Sequence, residues 1–195
     1  CDYMQVYGLS ETTGVVTQLD SQDHDPGGSR EHLLRSAGKP IQGVELKIVD
    51  PDTETDMPDG EVGEVWIRSA QIMKGYWKMP EETDEAITED GWFRSGDAGY
   101  LEDGFMFIHD RVKDMIVSGG ENVYPAEVEN ALMGHEGIAD VAVVGVPDEK
   151  WGETGKAFVV PLGDMAPTEE EIINFSRVWC FDWLIYCFND LVIAE

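Results

Sequence analysis

The sequence predicts an α+β chain in two parts, a β-rich module over residues 1–112 and a small mixed α/β module over residues 113–177. Three observations predict it. Val44–Val49 alternates apolar and polar residues, the period of a half-buried strand. Further strand-like runs follow, and Asp103-Gly104 between two of them is a hairpin signal. After Arg111 the pattern changes to alternating helix and strand signals.

The elements follow in order. Val44, Leu46 and Ile48 share one strand face, with Glu45 and Lys47 on the other. Asp50-Pro51-Asp52 and Asp59-Gly60 mark turns of a connecting loop, and residues 63–68 form the next strand. Pro80, followed by Glu81 and Glu82, opens a helix, because proline needs no N–H partner there and acids suit the positive end of the dipole. Gly91 is the expected end of that helix. Residues 99–101 and 105–108 are the arms of the hairpin. In the second part, Pro125 opens a helix whose Val128, Ala131 and Leu132 share a face. Residues 138–146 form an apolar strand, with residues 156–161 as its neighbour. Thr168-Glu169-Glu170-Glu171 is a capping box that opens a helix through Ile172, Ile173 and Phe175.

The chain has 195 residues and a formal net charge of −27. Repulsion of that size opposes nucleic-acid backbones and anionic membrane surfaces as partners. Its 42% hydrophobic and 10% aromatic content separates it from a disordered acidic tail. Cys1, Cys180 and Cys187 form no disulfide framework, which favours a reducing, cytoplasmic setting. The four histidines are scattered, without zinc-ligand spacing. No charged segment followed by an apolar one opens the chain, so no signal peptide is read.

Both ends read as unusual. Residue 1 is Cys and a dense motif follows at once, so the start is read as a cut. Over residues 178–195, 14 of 18 residues are apolar and five are aromatic. Asp182, Asn189 and Asp190 interrupt the run, which makes a poor membrane span. A terminal helix with Trp179, Trp183 and Tyr186 on one stripe is one reading. A shifted reading frame is the favoured one.

Four clusters can carry chemistry. In Tyr7-Gly8-Leu9-Ser10-Glu11-Thr12, a glycine beside an aromatic ring admits a flat ligand. A hydroxyl next to a carboxylate can serve a phosphate and its Mg2+. A strand end with a Ser-Glu cap explains the same residues, and local chemistry favours it. In Trp92-Phe93-Arg94-Ser95-Gly96-Asp97, a carboxylate after a glycine turn can hold a ribose diol, or simply stabilise its own turn. Asp110-Arg111-Val112-Lys113-Asp114 offers a guanidinium for anions, or is a solvated charge run. Ser118-Gly119-Gly120-Glu121-Asn122-Val123-Tyr124-Pro125 lets a ligand approach the backbone, or is a turn before a helix. It is not a P-loop, because no Gly-Lys-Ser/Thr follows.

Together, in this order and spacing, the clusters resemble the adenylate-forming (AMP-binding) superfamily of acyl-CoA synthetases, peptide-synthetase adenylation domains and luciferases. Further matching stretches are Gly38-Lys39-Pro40, Gly63-Glu64-Val65-Trp66-Ile67-Arg68 and Gly75-Tyr76. The resemblance covers residues 3–177. The loop after Val112-Lys113-Asp114 is similar to the acyl-CoA synthetase branch, above all the fatty-acid–CoA ligases.

The resemblance implies the end of a large N-terminal domain, a distorted β-barrel-like module, followed by a small C-terminal domain. It implies ATP, Mg2+ and coenzyme A as reactants and cofactor, a carboxylic acid as substrate, and an acyl-adenylate intermediate. Tyr7 and Gly8 would line the adenine site. Ser10 would contact phosphate, and Glu11 would hold the metal. Asp97 would hold the ribose hydroxyls, and Arg111 would lie near ribose and phosphate. Lys113 would be the hinge between adenylating and thioester-forming poses. Gly119, Gly120 and Glu121 would line the pantetheine tunnel.

Two family features lack a match: the Gly/Ser/Thr-rich phosphate loop upstream of Tyr7, and a C-terminal catalytic lysine, since no lysine follows Lys156. The resemblance therefore implies that this chain alone does not adenylate. A CoA ligase for an aromatic or short-chain acid, and a non-catalytic nucleotide-binding or interaction module, are the competing readings. Salt adaptation would explain the acidity.

Overall fold

The computed structural model describes residues 2–163, 167–179 and 188–193, with the backbone alone for Glu121, residues 177–179 and Phe188–Ile193. It divides into two compact units, Cys1–Ile108 and His109–Glu195.

The first unit holds two sheets. Strands β1 (Gln5–Tyr7), β2 (Thr17–Leu19) and β3 (Lys39–Pro40) form an antiparallel three-stranded sheet. Strands β4 (Val44–Val49), β5 (Gly63–Ser69), β6 (Phe93–Glu102) and β7 (Phe105–Arg111) form a four-stranded sheet in sequence order. The last residues of β7 fall in the second unit. The sheets are joined where Ala37 N–H donates to Met106 O at 2.7 Å and Met106 N–H to Gly38 O at 2.9 Å. Among the described residues neither sheet closes into a barrel, so the barrel-like expectation becomes two open sheets. Val44, Ile48, Val65, Ile67, Phe93 and Met106 are buried in one core, as the alternation in β4 requires.

The opposite face of the four-stranded sheet has its own packing. Val49, Trp66 and Trp92 are buried together, and the Lys47 ammonium lies over both indoles at 4.8 and 4.9 Å. Lys47 is therefore half-buried rather than a solvated strand residue.

The first helix, α1 (Pro80–Ala86), starts at proline as expected but stops five residues before Gly91. Ile87 pairs instead with Phe93, and Thr88 binds both backbone groups of Trp92 across a turn that Gly91 occupies. Pairing with β6 outcompetes another helical turn.

The second unit is a sheet covered on one face by helices. Strands β8 (Ile116–Ser118) and β9 (Glu121–Val123) form a short hairpin. Helix α2 (Pro125–Leu132) follows, then the long hairpin of β10 (Ile138–Asp148) and β11 (Gly152–Pro161). The arms exceed the expected 138–146 and 156–161 because pairing continues to Asp148 opposite Gly152. They are not buried on both faces. Val141, Val143, Ala157 and Val159 pack on Val128, Leu132 and Ile172, while Val144, Phe158 and Val160 are exposed. Helix α3 (Glu169–Trp179) opens on the predicted capping box: Glu171 N–H donates to Thr168 Oγ1 at 3.3 Å, and Thr168 N–H to Glu171 Oε2 at 2.8 Å. Strand β12 (Phe188–Ile193) runs parallel to β11. A helical tail is therefore wrong for this stretch, whose Leu191-Val192-Ile193 suits an edge strand. The stripe through Trp183 and Tyr186 lies outside the described residues.

Candidate functional site

The first motif is a tight loop after β1. Residues Ser10–Thr12 form one 3-10 turn, and the buried Thr12 hydroxyl closes it. Thr12 Oγ1 accepts Leu9 N–H at 3.0 Å and lies within bonding distance of Leu9 O and Gly14 O. The chain then doubles back, with Val16 N–H donating to Tyr7 O at 2.7 Å. Gly8 sits in the crook: a Cβ there would lie 2.1 Å from Gly14 O. Glycine is required at this position for the loop itself, whatever ligand it meets. Ser10 is exposed and Glu11 half-buried.

The second motif lies inside β6 rather than in a free turn. Opposite β5 the register shifts, with Glu64 facing Ala98 and Trp66 facing Arg94. Ser95, Gly96 and Asp97 together stand opposite Val65 alone and form a bulge. Ser95 Oγ donates to Val65 O at 2.6 Å and accepts Asp97 N–H at 3.1 Å. Glu64 clamps the other side, accepting Gly96 N–H at 2.9 Å and Trp66 Nε1–H at 2.8 Å. The bulge re-aims Asp97, whose Oδ2 accepts the Tyr7 hydroxyl at 2.6 Å. Two motifs 90 residues apart in sequence thus meet. An ionised carboxylate has about four acceptor positions, so one bond to Tyr7 is compatible with binding a diol.

Glu11 has a partner that sequence reasoning did not assign. Its Oε1 accepts the Tyr76 hydroxyl at 2.9 Å, and its carbonyl accepts Met73 N–H at 2.7 Å. The Tyr76 phenol is raised above its ordinary value by burial and then by the hydrogen bond to Glu11. It therefore stays neutral and donates its proton at neutral pH. The signal was present in Gly75-Tyr76, but nothing in the sequence tied it to Glu11.

In the second unit, Asp110 is a structural residue. Its Oδ1 accepts Arg111 N–H at 2.8 Å, and its Oδ2 accepts Ala126 N–H at 2.9 Å, capping the first turn of α2. That makes the third cluster more than a solvated run. His109 adds a contact of its Nδ1 with Glu127 Oε1 at 2.6 Å. Arg111 is exposed at the end of β7. Lys113 is exposed within a 3-10 turn over Val112–Asp114. It borders a cavity of about 350 Å³ shared with Asp110, Asp114, Glu129 and Glu153.

Gly119 and Gly120 form the two-residue turn of the β8–β9 hairpin, both at positive φ, +61° and +92°. Gly119 also lies against Trp151, where a Cβ would stand 2.7 Å from the ring. Gly120 faces open space. The Glu121 side chain lies outside the described set.

Glu11 is a single carboxylate. That donor suits a Mg2+ taking its remaining ligands from water and phosphate oxygens, so the residues fit the ion the family implies. Among the described residues no helix is long and apolar enough to cross a membrane.

Comparison with known proteins identifies the arrangement. The AMP-binding enzyme family matches residues 1–77, and the AMP-binding enzyme C-terminal domain matches residues 127–183. Fatty acid–[acyl-carrier-protein] ligase ScoC of Streptomyces coeruleorubidus is 46% identical over 176 residues, 90% of this chain and 33% of that protein. Feruloyl-CoA synthase of an Amycolatopsis species is 42% identical over 179 residues, 90% of this chain and 34% of that protein. Among solved structures, o-succinylbenzoate CoA synthetase from Bacillus subtilis, in complex with its acyl-adenylate intermediate, superimposes with a TM-score of 0.85 at 30% identity. That alignment covers 98% of this chain and 37% of the synthetase. The chain spans about a third of the length of the curated relatives it matches. With both family domains matched in order and the same fold throughout, the chain belongs to the AMP-binding (adenylate-forming) enzyme family.

Proposed function

We propose that this chain supplies the nucleotide- and thiol-handling part of an acyl-CoA synthetase that acts on a fatty acid. The reaction converts a carboxylic acid, ATP and coenzyme A to acyl-CoA, AMP and pyrophosphate. The observation that carries the reading is the Tyr7–Asp97 hydrogen bond, which joins the aromatic motif and the acidic bulge into one cluster.

In this reading Asp97 accepts the two ribose hydroxyls, and the bulge fixes its carboxylate before the nucleotide arrives. Tyr7 orients Asp97 through its hydroxyl and offers its ring to the adenine, with Gly8 leaving the backbone open beside it. Ser10 donates to phosphate. Mg2+, held through Glu11, would neutralise charge on the polyphosphate as the acid attacks. Arg111 supplies a fixed positive charge near ribose and phosphate. Lys113 is the hinge residue, and Gly119, Gly120 and Glu121 border the path of the pantetheine arm. The outward face of Gly120 supports that role, whereas Gly119 also answers to Trp151.

The fatty-acid assignment draws support from ScoC, whose name specifies a fatty acid, although its acceptor is an acyl carrier protein. The feruloyl-CoA synthase match favours a second reading, an aromatic acid. Calorimetric titration of AMP into the chain tests the nucleotide assignment. Asp97→Asn should weaken binding about tenfold or more, since hydrogen bonds to a charged acceptor contribute about 1.5–3 kcal/mol. Equal affinity of Asp97→Asn and wild type would remove the assignment. Non-hydrolysable dodecanoyl- and feruloyl-adenylate analogues, compared in the same assay, separate the two acids.

A further inference from the structure

The residues around Tyr76 are built to hold one side chain still. Tyr76 N–H donates to Thr83 Oγ1 at 2.9 Å, and the same hydroxyl donates to Met79 O at 2.7 Å. Tyr76 pairs back onto Met79, so the knuckle between Gly75 and Pro80 is fastened to the first turns of α1. Upstream, the same segment grips the first motif. Thr13 Oγ1 donates to Gln71 O at 2.6 Å, Gln71 Nε2 to Val15 O at 2.7 Å, and Met73 N–H to Glu11 O at 2.7 Å. Residues 71–76 are thus a brace along the Glu11 loop, and Tyr76 is the contact of that brace with the Glu11 carboxylate.

We propose that Tyr76 is a positioning residue that fixes the Glu11 carboxylate for a nucleotide-bound divalent cation. The inference rests on the nucleotide-handling reading above. A glutamate has three rotatable bonds, and a Mg2+ that accepts one or two carboxylates demands near-ideal geometry from each. A hydroxyl bonded to one carboxylate oxygen holds the group in one rotamer and leaves the second oxygen to the ion, the arrangement by which outer partners tune metal ligands. Tyr76 is 37% exposed and its ring belongs to none of the buried clusters, so core packing does not account for it.

The test is calorimetric titration of ATP into the full chain with and without saturating Mg2+, for wild type, Tyr76→Phe, Glu11→Gln and the double variant. The quantity read is the ratio of the two affinities. Wild type should show a clear Mg2+ enhancement, and Tyr76→Phe should cut that ratio about tenfold, the usual size for loss of an outer partner. Glu11→Gln should abolish the enhancement, and Tyr76→Phe should then add nothing. Thr83→Val, which loosens the knuckle without touching the phenol, should give a partial loss and serves if Tyr76→Phe fails to fold. A Tyr76→Phe ratio equal to wild type overturns the role of Tyr76 alone. A Tyr76→Phe effect that persists undiminished in Glu11→Gln does the same. A wild-type chain that binds ATP with no Mg2+ enhancement overturns the metal role of Glu11 and the inference with it. Absence of any ATP binding overturns the nucleotide reading itself.

Discussion

Gly8 and Gly120 are both glycines in the proposed ligand-binding motifs, but for different physical reasons. At Gly8 the limit is space, because Gly14 O stands where a Cβ would go. At Gly120 it is backbone angle, since φ is +92° and the space beside it is open. Gly8→Ala should therefore destabilise the first unit by about 2–3 kcal/mol, the upper part of the range of overpacking substitutions, because a backbone oxygen cannot rotate away. Gly120→Ala should cost only about 1 kcal/mol, the left-handed penalty of one residue. Urea unfolding of both variants checks the order, and a smaller loss for Gly8→Ala would contradict the crowding. At this scale the sequence made Glu11 and Asp97 visible as candidates through their motifs. Tyr76 stayed without a role because its partner lies 65 residues away. Thr12 belongs to the same motif as Glu11, yet only the fold shows its hydroxyl buried and closing the loop.

Among elements, the legible ones are those whose causes are local. The capping box of α3 needs only residues three apart, and Thr168 and Glu171 make both of its bonds. The Thr168 N–H and hydroxyl hold the Glu171 carboxyl below its ordinary value of 4.5. A depressed carboxylate contributes stability that is present above the unfolded value and lost as pH falls through the folded one. Relative to Glu171→Ala, the wild-type chain should therefore keep a constant advantage down to pH 4.5 and lose it progressively below. Thermal unfolding of the two proteins along a pH series reads this directly, and an advantage that grows on acidification would refute it. The end of α1 and the bulge in β6 were not legible. Gly91 is a sound helix terminator by local rules, but pairing of Ile87 with Phe93 intervenes first. The bulge exists only relative to β5, so Ser95 and Glu64 gain their clasping roles only after pairing.

For the whole molecule, charge is the dominant sequence-level fact. With a net charge of −27, repulsion among acids is expected to outweigh the described ion pairs, such as Arg68–Glu45 and Arg94–Glu54, whose carboxylates are exposed and whose arginines are half-buried. Raising ionic strength from about 0.01 to 0.15 M shortens the screening length from about 30 to 8 Å. The melting temperature should therefore rise over that interval, by a few degrees, in scanning calorimetry. A fall would mean that the ion pairs and cation–π contacts around Lys47 control the balance. The sequence shows a change of pattern after Arg111, a switch from strand to helix signals. The contact division after Ile108 comes from the tertiary structure, since it depends on which residues touch.

The sequence by itself determined the strand alternation of β4, the starts of the described helices α1, α2 and α3, the acidic surface and the family. These depend on residue type and on neighbours within a turn or a pleat, or on motif order along the chain. Tertiary structure alone decided that the sheets stay open, that β6 bulges at Asp97, that Tyr7 meets Asp97, and that Tyr76 holds Glu11. Each of these is a contact between residues far apart in sequence, or a register between strands. Such pairings are set by which apolar faces bury against one another, and no local pattern encodes that choice.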